Sequence, residues 1–362
     1  MPAKVVIAAG GTGGHLFPAQ ALAKELEGSG VEVLFGGDRL SENRYFHKDQ
    51  FSFVDIASAT PYKGNPLGSI ARLGKGFWRA AQVLTAHRPQ LVIGFGSFHS
   101  FPLLAAALVK KIPLLLVESD IVPGKVNRLF SRWARATAVQ FAAASSHLAG
   151  KTVETAMPIW QKETYASVTT EEARAHFGLK PQLFTLLVFG GSQGALFINE
   201  LLRASARALK EIQILHFTGD EKSAEVLASH YEAERIPACV KSFEHHMPLA
   251  WKAASLAISR AGAGTFAEQL AFTTPGILIP YPYATGGHQK KNALFMQNEV
   301  GGAVMCLESE LTAESLVQTI ETLREGGRLD QMRRALADFK CVKKDLSVLC
   351  KDIISSGSAA SG

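Results

Sequence analysis

One local pattern occurs twice in this chain and limits its fold more than any other feature. Val5-Val6-Ile7-Ala8-Ala9 leads into Gly10-Gly11-Thr12-Gly13-Gly14-His15, and then into Ala19, Leu22, Ala23 and Leu26. The apolar run reads as a short buried parallel strand. The i, i+3, i+4, i+7 spacing reads as one face of a helix. About 180 residues later, Phe184-Thr185-Leu186-Leu187-Val188-Phe189 runs into Gly190-Gly191-Ser192-Gln193-Gly194-Ala195 and a helix carrying Leu196, Leu201, Leu202 and Leu209. Two strand–glycine–helix units half a chain apart predict an α/β protein. The expected architecture is two Rossmann-like, doubly wound parallel-sheet domains facing a cleft. Residues 1–156 and 157–340 are the expected domains. The segment 341–354 is expected to return to the first, and 355–362, small and polar, to be disordered.

The rest of the chain repeats this alternation. Strands are expected at 4–9, 31–35, 91–94, 113–117 and 137–140, then at 184–189, 212–217, 256–259, 276–279 and 303–305. Helices are expected at 221–233, 248–254, 265–271, 289–299, 313–325, 329–339 and 343–354.

The composition narrows the classes of function. No apolar run reaches the ~20 residues of a membrane span, and with a strand read from Lys4 onward no signal peptide is expected. The four cysteines show no CxxC spacing and read as free thiols of a reducing cytoplasm. A net charge of +6 favours an acidic partner. No nucleic-acid-binding signature is present, so a phosphorylated substrate or an anionic membrane surface is favoured over nucleic acid.

Glycine turns between strand and helix suit a phosphate, because the backbone can approach closely and the helix start offers N–H groups and a positive dipole end. The same turns also occur where only tight packing is needed. His15 stands where a general base near neutral pH would stand, or a residue that hydrogen-bonds the loop. A second turn, Gly94-Phe95-Gly96-Ser97-Phe98-His99-Ser100, follows another strand and is expected to line the same cleft. Arg260-Ala261-Gly262-Ala263-Gly264-Thr265 precedes Glu268, placed by its spacing on the first turn of a helix. That carboxylate can accept from both hydroxyls of a ribose, or complement the helix dipole. Gln289 can donate and accept, which suits sugar hydroxyls or a helix cap. Ile70, Leu73, Phe77 and Trp78 alternate with Arg72, Lys75 and Arg79. This is the pattern of an interfacial membrane site, or of an amphipathic helix with a solvated basic edge. No Asp-x-Asp and no P-loop occur, so neither a metal-clamped donor nor an NTPase is expected.

Taken in order, Gly10–Pro18, Gly190–Ala195, the 260–268 turn and His288-Gln289 with Lys291-Asn292-Ala293 resemble the MurG family of peptidoglycan N-acetylglucosaminyltransferases. The resemblance covers about residues 4 to 340. It implies a GT-B fold and an inverting, metal-independent, cofactor-free reaction. N-acetylglucosamine passes from UDP-N-acetylglucosamine to the muramoyl C4 hydroxyl of lipid I, giving lipid II. It implies a peripheral enzyme on the cytoplasmic face of the inner membrane, with an anionic lipid surface and cell-wall synthesis proteins as partners. It makes His15 the catalytic base. Thr12, Gly13 and Gly14 would face the donor's sugar and diphosphate, and Ser192 the diphosphate. Ala263, Gly264 and Thr265 would form the diphosphate turn, Glu268 would take the ribose, and Gln289 the transferred sugar. Gly96 and Ser97 would shape the acceptor side, and Arg72, Lys75, Phe77, Trp78 and Arg79 the membrane face.

Three donor-side positions depart from the family. Asp120 stands for its asparagine, Trp160 for its arginine, and Glu244 for an apolar residue whose backbone would hold uracil. Rival readings are a related GT-B glycolipid glycosyltransferase, a UDP-sugar epimerase, and a degenerate relative that binds a UDP-sugar without turnover.

Overall fold

The computed structural model describes residues 2–60, 66–191, 194–209, 211–339 and 344–359. The chain divides into two compact units, Met1–Trp160 with Lys343–Gly362, and Gln161–Val342.

The first unit begins β1 (Lys4–Ala8), α1 (Gly13–Glu27), β2 (Glu32–Gly37), β3 (Phe53–Asp55), α2 (Pro66–His87), β4 (Leu91–Gly94) and α3 (Ser97–Val109). It continues β5 (Leu114–Glu118), α4 (Lys125–Phe130), β6 (Ala136–Val139) and β7 (Thr152–Ala156). The second unit holds α5 (Thr170–His176), β8 (Phe184–Phe189), α6 (Leu196–Ser205), β9 (Ile212–Phe217), α7 (Glu221–Ala233) and β10 (Ala238–Lys241). There follow α8 (Met247–Ala253), β11 (Leu256–Ser259), α9 (Ala263–Phe272), β12 (Gly276–Leu278), α10 (His288–Phe295), β13 (Ala303–Met305), α11 (Ala313–Arg324) and α12 (Arg328–Phe339). The chain then returns to the first unit as β14 (Lys344–Asp345) and α13 (Leu346–Ala359).

Every strand pairing among the described residues is parallel. The first sheet runs β14-β7-β6-β5-β4-β1-β2-β3, and the second β10-β9-β8-β11-β12-β13. Parallel strands need crossovers, and the crossover helices cover both faces of a sheet. That accounts for the unbroken apolar run of β1, where Val5, Val6, Ile7 and Ala8 have no exposed surface. In the second unit Leu186, Val188, Ile214 and Ile258 pack on one face with α6 and α11, while Leu187, Leu215 and Ala257 pack on the other with α8.

The strand order reverses direction between β1 and β4 in one sheet and between β8 and β11 in the other. Such a switch point opens a crevice beyond the carboxyl ends of the strands, where ligands of open α/β sheets bind. All four glycine-bearing turns picked out above follow these four strands.

Besides the two-residue β14, three short strands at or beside a sheet edge, β3, β7 and β10, were not expected. They are only three to five residues long and partly exposed, so they carry no continuous apolar run. The last helix corrects another expectation. It runs through Ser355 and Ser356 to Ala359, where disorder was expected. Each added helical residue gains a hydrogen bond at little further cost, and Ser356 Oγ donates back to the Ile353 carbonyl at 3.0 Å. Leu346, Leu349, Cys350 and Ile353 bury the inner face of this helix in the first unit.

Candidate active site

In the first unit, Thr12 caps α1 with extended backbone, and the next residues begin the helix. The first-turn amides of a helix have no acceptor within it, so they are available to an anion. His15 is half-buried in this turn, with Nδ1 3.4 Å from Thr12 Oγ1. When Nδ1–H donates to the threonine, the lone pair lies on Nε2, as a general base requires.

The turn after β4 packs directly on the turn after β1. A Cβ on Gly10 would lie 2.8 Å from the His99 Cβ, so the close approach requires glycine there. Gly96 and Ser97 lead into α3 with φ of 77° and 61°. Ser100 Oγ donates to the Gly96 carbonyl at 2.7 Å. Asn43 Nδ2 donates to the Gly11 carbonyl at 2.8 Å and braces the first turn from its other side. His99 is kept below the usual histidine range mainly by burial, which the nearby Asp38 partly offsets.

At the end of β5 the Glu118 carboxylate is buried and accepts three hydrogen bonds. The donors are Asp120 N at 3.0 Å, Gly124 N at 2.9 Å and Asn127 Nδ2 at 3.0 Å. Burial and then the Asp120 charge push it up to about 7, against the pull of these donors. Asp120 is thus carried on a loop whose backbone is tied to Glu118. Trp160 stacks on His47 with ring centroids 4.7 Å apart and meets Phe51 at 6.1 Å, inside the first unit's aromatic cluster.

The basic aromatic stretch is helical from Pro66, and its residues divide between two faces. Leu67, Ile70 and Trp78 are 78%, 63% and 68% exposed. Lys75 and Arg79 are exposed beside them and, with Trp78 and Arg39, line a cavity of about 470 Å³. Two members of the expected membrane face are corrected. Phe77 turns inward and packs on the core. Arg72 is half-buried and bound to both oxygens of Asp38, at 2.9 and 3.2 Å. Helical periodicity is the reason, since the buried stripe of α2 runs through Ser69, Gly76, Ala80 and Leu84, and residues 72 and 77 flank it on either side. Gly76 allows close packing: a Cβ there would overlap the Ala57 carbonyl.

In the second unit Gly190, Gly191 and Gly194 surround a turn whose Ser192 lies outside the described residues. Gly194 has a φ of 72°, and a Cβ there would overlap the Thr218 carbonyl. Helix α9 starts from Gly262, and Ala263, Gly264 and Thr265 form its first turn. A Cβ on Gly262 or Gly264 would meet nothing within 4 Å, so this turn lies open. Glu268 is corrected in position: it stands on the second helical turn, and no acidic residue occupies the first. It therefore does not complement the dipole. Its Oε2 accepts from the Trp251 indole N–H at 2.8 Å, and burial pushes it up to about 7.

The Glu244 side chain folds back into its own loop. Lys241 Nζ donates to Oε2 at 2.7 Å and His246 N to Oε1 at 2.8 Å. Burial raises this carboxyl, but these contacts outweigh it and hold the group below its usual range. Only the Glu244 backbone is then left for a ligand. Gln289 Oε1 accepts from Tyr281 N at 2.9 Å, which leaves Nε2 to donate. The Arg260 guanidinium lies over the Tyr281 ring at 5.4 Å, and Asn292 Nδ2 donates to the Ala261 carbonyl at 3.1 Å. These contacts tie the loop before α10 to the turn before α9, so Gln289 and Ala263–Thr265 are positioned together.

Sequence reading missed Trp251, Asp38 and Asn127, each of which holds a site residue in place. Their partners lie between 9 and 34 residues away in the chain. No local motif links such pairs.

Paired parallel sheets, each with glycine turns on both strands of its switch point and an open helix start, define a nucleotide-sugar glycosyltransferase of the GT-B class. The glycosyltransferase family 28 N-terminal domain matches residues 5–139, and the family 28 C-terminal domain matches residues 185–346. The chain belongs to glycosyltransferase family 28. It is 39% identical over 98% of its length, and 96% of the relative's, to a protein of Protochlamydia amoebophila. That relative is named UDP-N-acetylglucosamine--N-acetylmuramyl-(pentapeptide) pyrophosphoryl-undecaprenol N-acetylglucosamine transferase. A Halothermothrix orenii protein of the same name is 37% identical over 92% of this chain and 93% of its own. Among solved structures, the Acinetobacter baumannii MurG crystal structure superposes with a TM-score of 0.76 at 27% identity, covering 98% of this chain and all of that one.

Proposed function

We propose that this protein transfers N-acetylglucosamine from UDP-N-acetylglucosamine to the muramoyl C4 hydroxyl of lipid I, releasing UDP and forming lipid II with inversion. The observation that carries this reading is the end-to-end likeness to relatives bearing that name, including 39% identity over 98% of the chain. The site chemistry supports it. His15 takes the proton of the attacking hydroxyl. The hydroxyl oxygen then bonds to the anomeric carbon as the bond from that carbon to the diphosphate oxygen breaks. The open start of α9 stabilises the negative charge that gathers on the diphosphate. Glu268 receives the ribose, the Glu244 backbone the uracil, and Gln289 Nε2 the transferred sugar.

We also propose that α2 seats the enzyme on an anionic membrane surface, since the acceptor's polyprenyl chain stays in the bilayer. Leu67, Ile70 and Trp78 form an exposed apolar stripe with Lys75 and Arg79 beside it. Among the described residues no helix is long and apolar enough to cross a membrane.

The test is incubation with radiolabelled UDP-N-acetylglucosamine and a lipid I analogue. Labelled disaccharide product is expected. Transfer to diacylglycerol instead, or retained donor binding without any product, overturns the reading.

A further inference from the structure

Trp251 lies in no glycine turn, yet its ring touches two elements of the second unit's site. It is 1% exposed on α8. Its indole N–H donates to Glu268 Oε2 at 2.8 Å. Its ring meets Phe189 edge-on at 5.5 Å, and Phe189 ends β8 immediately before Gly190. Its helix starts three residues after Glu244. One indole therefore joins the strand end that leads into the glycine turn to the α9 carboxylate, on a helix that follows the Glu244 loop.

We infer that Trp251 is a positioning residue for nucleotide recognition: its N–H locks Glu268 in the rotamer that offers Oε1 to the ribose hydroxyls. This inference rests on Glu268 being the ribose carboxylate. A glutamate on a helix has three side-chain torsions, and fixing them at the moment of binding costs affinity. Among the described residues no lysine, arginine or histidine forms an ion pair with Glu268. The indole hydrogen bond fixes one oxygen before the nucleotide arrives and directs the other outward. A phenylalanine would fill most of the same space and could not donate.

The test measures binding of UDP and of 2′,3′-dideoxy-UDP to wild type, Trp251→Phe and Glu268→Gln by calorimetry. Wild type should bind UDP more tightly than the dideoxy nucleotide. Trp251→Phe should weaken UDP about tenfold and the dideoxy nucleotide less than twofold, with the donor KM rising more than kcat falls. The double variant should bind UDP no more weakly than Glu268→Gln, because both changes remove one interaction. Replacing Trp251 by benzothienylalanine, which keeps the ring shape and removes only the N–H, should give the same pattern even if the phenylalanine variant folds poorly. Equal weakening of both nucleotides by the Trp251 changes, or full retention of discrimination in both Trp251→Phe and the benzothienylalanine variant, overturns the role of Trp251 and leaves the ribose assignment standing. Equal binding of the two nucleotides by wild type overturns the ribose assignment itself.

Discussion

The Arg72 guanidinium is held by both carboxylate oxygens of Asp38, at 2.9 and 3.2 Å. This pair separates two kinds of basic residue on α2. Arg72 is a structural tie to the end of β2, and Lys75 and Arg79 are exposed. Lys75→Glu with Arg79→Glu should remove the salt-sensitive part of binding to anionic liposomes, at about 1 kcal/mol per charge, while transfer to a soluble short-chain acceptor continues. Arg72→Glu should instead place a carboxylate against Asp38 and lower the stability and soluble-acceptor activity together. Liposome sedimentation across a salt series, beside the soluble assay, distinguishes them. Unchanged liposome binding in the double variant sinks the membrane role of this face.

His15 stands on the open first turn of α1, with Thr12 against its Nδ1. His15→Ala should lower kcat by ~10²–10⁴ while UDP affinity changes little. Steady-state kinetics with calorimetric binding checks this. An equal loss of rate and of UDP affinity would make His15 a residue of the loop's structure and not the base.

Glu268, pushed up to about 7 by burial, gives donor binding a pH dependence. Ribose hydroxyls donate to the ionised carboxylate, so the donor binds the deprotonated enzyme better. Affinity for UDP-N-acetylglucosamine should therefore rise from pH 6 to 8 and level off above. Glu268→Gln should bind the donor ~1–3 kcal/mol more weakly and lose this slope. Titrations at several pH values measure both, and a slope that survives in the variant assigns it to another group.

Glu118, also pushed up to about 7, acts on stability. Its folded value lies above the ordinary value of 4.5. Between these limits the folded state holds a proton that the unfolded state has lost. Stability from this group is therefore greatest below pH 4.5 and falls as pH rises through 7, by up to about 1.4 kcal/mol per pH unit. Glu118→Gln should flatten that part of the stability profile while disturbing the 119–124 loop, since an amide cannot accept from all three donors. Denaturant unfolding of both proteins from pH 4 to 8 tests it. Identical slopes would show that Glu118 does not titrate in this range.

The amino-acid sequence by itself determined the elements that repeat over short distances. Val5–Ala9 and Phe184–Phe189 announce buried strands because a parallel strand must be apolar on both faces. The glycine turns announce themselves because only glycine allows such close backbone approach, as at Gly10 and Gly194. The duplication of this unit was enough to foresee a parallel α/β fold, and the ordered motifs to foresee the family. Tertiary structure alone decided what the polar side chains do. Arg72 and Asp38, Trp251 and Glu268, and Glu118 and Asn127 meet because separate elements pack together. Lys241 lies close to Glu244 in the chain, yet only the folded loop brings it and the His246 amide onto the carboxylate so that together they outweigh the cost of its burial. A charge in a sequence carries no record of its burial or its partner, and those two quantities set whether it binds a ligand, faces a membrane or holds a loop.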